Sequence, residues 1–158
     1  MKHIISVTVE NKPGVLARIV GLISGRGFNI ETLNVASSVD STISKMTMTV
    51  LGDDKVLEQV NKQLNKLIDV VKVTDLTSER FIDRELVLVD VETSVEERAK
   101  LLEFVQLCEA KVISVRDKAV TVQMVGDREK LDSFMALIKP YKVIDITRSG
   151  PIAIGRAE

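Results

Sequence analysis

Two tandem α+β units, each running strand, helix, strand, strand, helix, strand, are what the 158-residue sequence predicts. Three observations carry this. Apolar residues alternate over short runs, then recur at helical spacing, and these patterns follow one another in the same order twice. Val50-Leu51-Gly52-Asp53 matches Met124-Val125-Gly126-Asp127, each at the end of a strand pattern and just before a helix with an acidic cap. The polar stretch Leu76-Thr77-Ser78-Glu79-Arg80 divides the two series. The expected domains are therefore residues 1–76, a linker over 77–80, and residues 81–158. The element order is the split βαβ arrangement of a ferredoxin-like unit.

The first strand alternates, with Ile5, Val7 and Val9 on one side and Ile4, Ser6 and Thr8 on the other. Pro13 fixes its own φ and turns Lys12 away from helix, so a helix starts at or just after it. Leu16, Ile19, Val20 and Ile23 form its apolar stripe, and Gly25 and Gly27 end it. Residues 30–36 and Ile43 to Leu51 read as two strands joined by the polar loop 37–42. Asp53 or Asp54 caps the next helix, whose stripe is Leu57, Val60, Leu64 and Leu67, and Val70-Val71-Lys72-Val73 is a fourth strand.

The second series has strands at 86–91, 112–115, 119–125 and 143–146. Its helices cover 95–108 and a closing segment that buries Leu131, Phe134, Met135 and Ile138. Only Glu92-Thr93-Ser94 stands at its first strand-to-helix turn, where the first series has Asn11-Lys12-Pro13-Gly14.

Composition removes several function classes. A net charge of -1 leaves no basic footprint for nucleic acid or an anionic membrane. Aromatic residues make up 3% of the chain, too few to stack bases on the central strands. The one cysteine, Cys108, permits no intrachain disulfide and falls in an apolar helical stretch that favours an inert thiol. No signal peptide and no apolar run near ~20 residues is present, so a cytoplasmic location is expected. His3, the only histidine, lies at the chain start, which excludes a histidine-based catalytic arrangement. The acid pairs Asp53-Asp54 and Glu96-Glu97 fall in first helical turns and read as dipole partners rather than metal ligands. No catalytic residue and no metal site is expected. A phosphatase of ferredoxin-like type would want an arginine in the loop where Lys12 stands.

The turn at Asn11 to Leu16 holds the chemistry that remains. The first amides of a helix have no partner within it, and Gly14 lets a small anion such as a carboxylate approach the backbone. An ordinary strand-to-helix turn fits the same local pattern. A second polar cluster follows the helix at Gly25-Arg26-Gly27-Phe28-Asn29-Ile30. Asn11 and Asn29 each offer a carboxamide that could read an amino acid's carboxylate and ammonium, with Val15 and Leu16 as an apolar wall. Within one chain these clusters lie at opposite ends of the helix, roughly 15–20 Å apart at 1.5 Å per residue. They meet only across a two-fold homodimer.

The segments Val9 to Arg18 and Arg26 to Leu33 resemble an ACT domain, and more narrowly the small regulatory subunit of acetohydroxyacid (acetolactate) synthase. The likeness continues through Ser44-Lys45-Met46-Thr47, Lys66 to Val70, Arg84 to Val89, Gly126-Asp127 and Arg148-Ser149-Gly150. It implies a non-catalytic partner of a large subunit that holds thiamine diphosphate, FAD and Mg, with no cofactor on this chain. It also implies activation of that subunit and feedback inhibition by valine or a related branched-chain amino acid. Carried over, the effector residues are Asn11, Gly14, Val15 and Leu16 of one chain with Asn29 and Ile30 of the other; Asn34 and Ala36 are further contacts. Two positions depart from the pattern: Asp90, where a lysine is expected, and the short segment Arg116-Asp117-Lys118. A stand-alone ACT-type amino-acid sensor is the alternative; the two series leave no helix-turn-helix that would read DNA.

Overall fold

The structure, a computed structural model, describes residues 1–156. Two compact units divide it: Met1–Ile82 together with the chain from Pro151, and Asp83–Gly150. The first unit contains β1 (Lys2–Glu10), α1 (Val15–Ser24), β2 (Ile30–Ser37), β3 (Ile43–Leu51), α2 (Asp54–Leu64) and β4 (Val70–Asp75). Its strands are ordered β2-β3-β1-β4, all neighbours antiparallel. Pairing sets Ile5 opposite Met48, Val7 opposite Met46 and Val9 opposite Ser44. The apolar members of these rows pack with Val15, Ile19 and Ile23 of α1 and Val60 and Leu64 of α2 as one core. Each such large buried side chain contributes roughly 1.5–3 kcal/mol. His3 is buried opposite Val50, at the far end of β1 from Asn11.

The helical stripe of α1 differs from the expected one by one position. Val15, Ile19 and Ile23 are buried, Val20 is half-buried and Leu16 faces out. The expected stripe began at Leu16; beginning at Val15, the i, i+4, i+8 row gives the observed face. Gly25 follows the last helical residue, and Gly27 at φ 75° reverses the chain towards β2.

The second unit repeats the plan with β5 (Phe81–Glu92), whose first two residues still belong to the first unit, α3 (Val95–Leu107), β6 (Lys111–Arg116), β7 (Ala119–Gly126), α4 (Arg128–Ile138) and β8 (Lys142–Arg148). The order β6-β7-β5-β8 is the counterpart of the first sheet. Val87, Val89 and Val91 face Met124, Val122 and Val120 across the β5–β7 pair. They pack with Leu101, Val105, Leu131, Phe134 and Ile138; Met135 is only half-buried against them. The two unusual features of this unit explain each other. Arg116, at the tight β6–β7 turn, makes a salt bridge to Asp90 of β5, and the Thr121 hydroxyl donates to the same carboxylate at 3.1 Å. The guanidinium, followed by the hydroxyl, holds the Asp90 carboxyl below the usual carboxylate range despite partial burial.

Two boundaries differ from the sequence expectation. β5 starts at Phe81, five residues before Leu86. A ninth strand, β9 (Ile152–Gly155), pairs with β5, and from Pro151 the chain belongs to the first unit rather than closing an 81–158 domain. Four residues are too few for a periodic signal, and this strand's partner lies about seventy positions away.

Candidate functional site

Asn11 ends β1 and fastens the following turn to the β2–β3 loop. Its backbone N–H donates to the Thr42 carbonyl and its Nδ2 to the Ser41 carbonyl, both at 2.8 Å. That loop is itself braced: the Asp40 carboxylate accepts from the Thr42 hydroxyl at 2.6 Å and from the Thr42 N–H at 2.9 Å. The hydroxyl, then the amide, keeps the Asp40 carboxyl below its ordinary range. Asn11 thus carries a role the sequence reading missed; the polar run Ser37 to Thr42 was the available signal. Lys12 pairs with Glu10 at 2.9 Å, which holds its ammonium charged beyond the ordinary lysine range.

Gly14 then sits at φ 83° and ψ -8°, a left-handed conformation that suits glycine. Its carbonyl accepts from Arg18 N–H at 3.0 Å, and Arg18 Nη2 reaches Asp69 Oδ2 at 2.5 Å. The turn is fixed on both flanks, yet the helix it opens is bare. Among the described residues, α1 is the one helix with neither a side-chain cap nor an acidic residue in its first turn. Asp53 caps α2 through the Val56 N–H, Ser94 caps α3 through Glu97, and Asp127 caps α4 through Lys130. Each of those helices also carries at least one acid in its first turn. The Val15 N–H donates to the Lys12 carbonyl at 3.4 Å, but no side chain compensates the positive end of the α1 dipole, and the amides that follow Val15 in the first turn suit a small carboxylate.

The predicted site residues separate into three groups. Asn11, Gly14 and Leu16 come together at this turn, with Leu16 40% exposed and able to touch a ligand's side chain. Val15 does not: it is 3% exposed and belongs to the core, so only its backbone can take part. Asn29 and Ile30 follow the other end of α1, ten helical residues or roughly 15 Å away. Asn29 is exposed and its carbonyl accepts from Leu51 N–H at 3.4 Å; Ile30 is half-buried against the core. Asn34 and Ala36 lie on the sheet face turned away from the helices, level with Thr47 and Lys45. The Asn34 amide donates to the Pro151 carbonyl at 3.3 Å.

Elsewhere the second unit carries two grooves of about 600 and 590 Å³ flanking Leu137, and neither includes a residue of the α1 turn. No group of three or more metal-ligating side chains occurs among the described residues. No described helix is long and apolar enough to cross a membrane.

Comparison with known proteins gives a consistent result across the whole chain. The family model described as the AHAS small subunit-like ACT domain matches residues 5–72, and that described as the small subunit of acetolactate synthase matches residues 84–157. The chain is 44% identical over 156 residues to an acetolactate synthase small subunit of Aquifex aeolicus, covering 98% of this chain and 81% of the relative. It is 40% identical over 159 residues to the acetolactate synthase isozyme 3 small subunit of Escherichia coli, covering 100% and 98%. The crystal structure of an acetolactate synthase small subunit from Thermotoga maritima superimposes with a TM-score of 0.88 at 34% identity, covering 100% of this chain and 99% of that one.

Proposed function

Because this chain belongs to the family of acetolactate synthase small subunits, we propose that it activates a separate catalytic subunit and makes it answer to valine. It is a regulatory subunit with no active site of its own. Thiamine diphosphate, FAD and Mg would act on the catalytic partner.

The observation that carries the effector reading is the bare N-terminus of α1. Valine's carboxylate would lie against its first amides, close to Gly14. Asn11 has already given its Nδ2 to Ser41, so its Oδ1 remains to accept from the ammonium. Leu16 would touch the isopropyl group. The second half of the pocket, Asn29 and Ile30, would come from another copy of the chain in a two-fold dimer, since α1 separates them from Asn11 within one copy. Inhibition then requires that valine bind one arrangement of the assembled enzyme more tightly than the other. The test mixes the chain with a catalytic subunit and follows acetolactate formation with and without valine. Activation together with valine-dependent inhibition is expected; activation that valine leaves untouched would remove the effector assignment.

A further inference from the structure

Arg18 stands one helical turn after Gly14, and side chains on a helix lean back towards its N-terminus. The guanidinium is thereby carried over the first turn of α1. Apart from its chain neighbours, a Cβ built on Gly14 would come nearest to Arg18 Nη1, at 3.8 Å. The guanidinium therefore borders the approach that Gly14 keeps open. Its other terminal nitrogen, Nη2, is held by Asp69 Oδ2 at 2.5 Å. Asp69 is itself anchored: its carbonyl accepts from Glu10 N–H at 2.9 Å, and the next residue, Val70, donates its N–H to the Leu67 carbonyl at 3.1 Å. With a side chain 20% exposed against 53% for Arg18, the aspartate is the fixed member of the pair and the arginine the one that faces solvent. Lys12, the cation within the turn, is taken up by Glu10. Its ammonium is held charged first by that partner and less strongly by Asp69, while Arg18 opposes it.

We propose that Arg18 is a second anchor for the effector's carboxylate, through Nη1, and that Asp69 is the positioning residue that aims it. This rests on the effector reading given above and adds a charged side-chain donor to the backbone amides of the turn. A guanidinium carries five N–H donors in a rigid plane, so an aspartate on Nη2 fixes that plane and leaves Nη1 able to meet a second carboxylate. Lys12 with Glu10 and Arg18 with Asp69 are two balanced pairs, so an arriving anion meets the helix end and Nη1 with no excess of negative charge between these four side chains. Hydrogen bonds between charged groups are roughly twice as strong as those between neutral ones. The arrangement therefore selects an amino acid with a free carboxylate over an amide of the same amino acid.

Calorimetric titration of the full-length chain tests this with two probes, L-valine and L-valinamide, which keeps the ammonium and isopropyl groups and lacks the carboxylate. Arg18→Gln should weaken valine binding about tenfold to a hundredfold, the range for a hydrogen bond to a charged group. Valinamide should lose no more than about threefold in the same variant, the part due to the broken ion pair. Arg18→Lys, which keeps the charge without the fork, should recover part of the valine affinity. Asp69→Asn should weaken valine binding about twofold to fivefold, the scale of an exposed ion pair, and add nothing in a chain that already carries Arg18→Gln. With side chains this exposed, each variant should melt within a few degrees of the parent chain. Valine bound as tightly by Arg18→Gln as by the parent would overturn the anchor. So would equal losses for valine and valinamide, which would leave Arg18 a brace for the turn alone, or a lysine variant no better than the glutamine one. A further loss from Asp69→Asn in the Arg18→Gln chain would overturn the positioning role of Asp69. A parent chain that binds neither probe would instead remove the effector reading itself, a result separate from all of these.

Discussion

Gly14 serves both as a backbone conformer and as open space in front of the uncapped helix start, and substitutions separate the two. At φ 83° a residue with a β-carbon is disfavoured by about 1–2 kcal/mol. No clash adds to this, because a Cβ built there meets nothing nearer than Arg18 Nη1, at 3.8 Å. A stiffer unfolded chain returns about 0.4–1 kcal/mol. Gly14→Ala should therefore cost about 1 kcal/mol of stability, a few degrees in Tm. Asn and Asp tolerate the left-handed region better, and the pair share a shape while differing in charge and in the amide donor that Asn alone carries. Two unit charges about 4 Å apart repel by about 1 kcal/mol in water and about 4 kcal/mol at a protein surface. Gly14→Asp should then weaken valine binding by about fivefold to nearly a thousandfold relative to Gly14→Asn, with similar stability. Calorimetric titration of both variants, beside thermal melts, makes the comparison. Equal valine affinity in the two would refute a carboxylate bound at this turn.

Three further outcomes follow from particular contacts. Asn29→Ala should weaken valine binding by about 1–3 kcal/mol. In a mixed dimer with Asn11→Ala, calorimetry should then find one intact site and one doubly defective site. Asp90 has a carboxyl held low by Arg116 and Thr121, so it stabilises the fold above the ordinary carboxylate range and loses that effect as pH falls through its folded value. Melting temperatures of Asp90→Asn should accordingly fall less steeply than those of the parent chain below about pH 4. Gly52→Ala would set a Cβ 2.5 Å from Cβ and Cγ1 of the stiff Val56 side chain, whereas at Gly126 the nearest atom is Lys130 Cβ at 3.0 Å. Denaturant melts should show about 1–3 kcal/mol lost at Gly52 and clearly less at Gly126.

Local signals and distant partners explain how far the sequence could be read. Alternation in Ile5, Val7 and Val9 survived because those residues meet Met48, Met46 and α1 as any half-buried strand would. Asp53 and Asp127 were readable as caps because a cap and its amide lie three positions apart. Leu16 and Val15 were exchanged in the stripe because a ten-residue helix fixes the phase of a 3.6 repeat only loosely. β9 and the Asn34–Pro151 bond escaped for another reason. β5 ends 60 positions before β9 begins (152 − 92), and the hydrogen bond spans 117, so no window holds both members. The site was half legible: Pro13-Gly14 marks the bare helix, but nothing local shows Asn11 giving its amide to Ser41.

The duplication in this chain sharpens that point, because the two units share a fold and not the bare helix start. In the second, the Ser94 hydroxyl accepts from Glu97 N–H, and Glu96 and Glu97 place two carboxylates in the first turn of α3. One amide is already occupied there, and the dipole is compensated twice over. A free carboxylate arriving at that turn would be repelled. At α1 the same turn lacks a cap, lacks acids and carries a glycine in a conformation that keeps the approach open. A cap is worth about 1 kcal/mol, so the bare end leaves the first unit less stable than an acidic or hydroxyl residue at position 14 would make it, if the backbone allowed one. A bound carboxylate would supply that missing interaction. Effector binding and stability of the first unit are in that case linked, and the midpoint of its melting should rise with valine concentration while the second unit's does not.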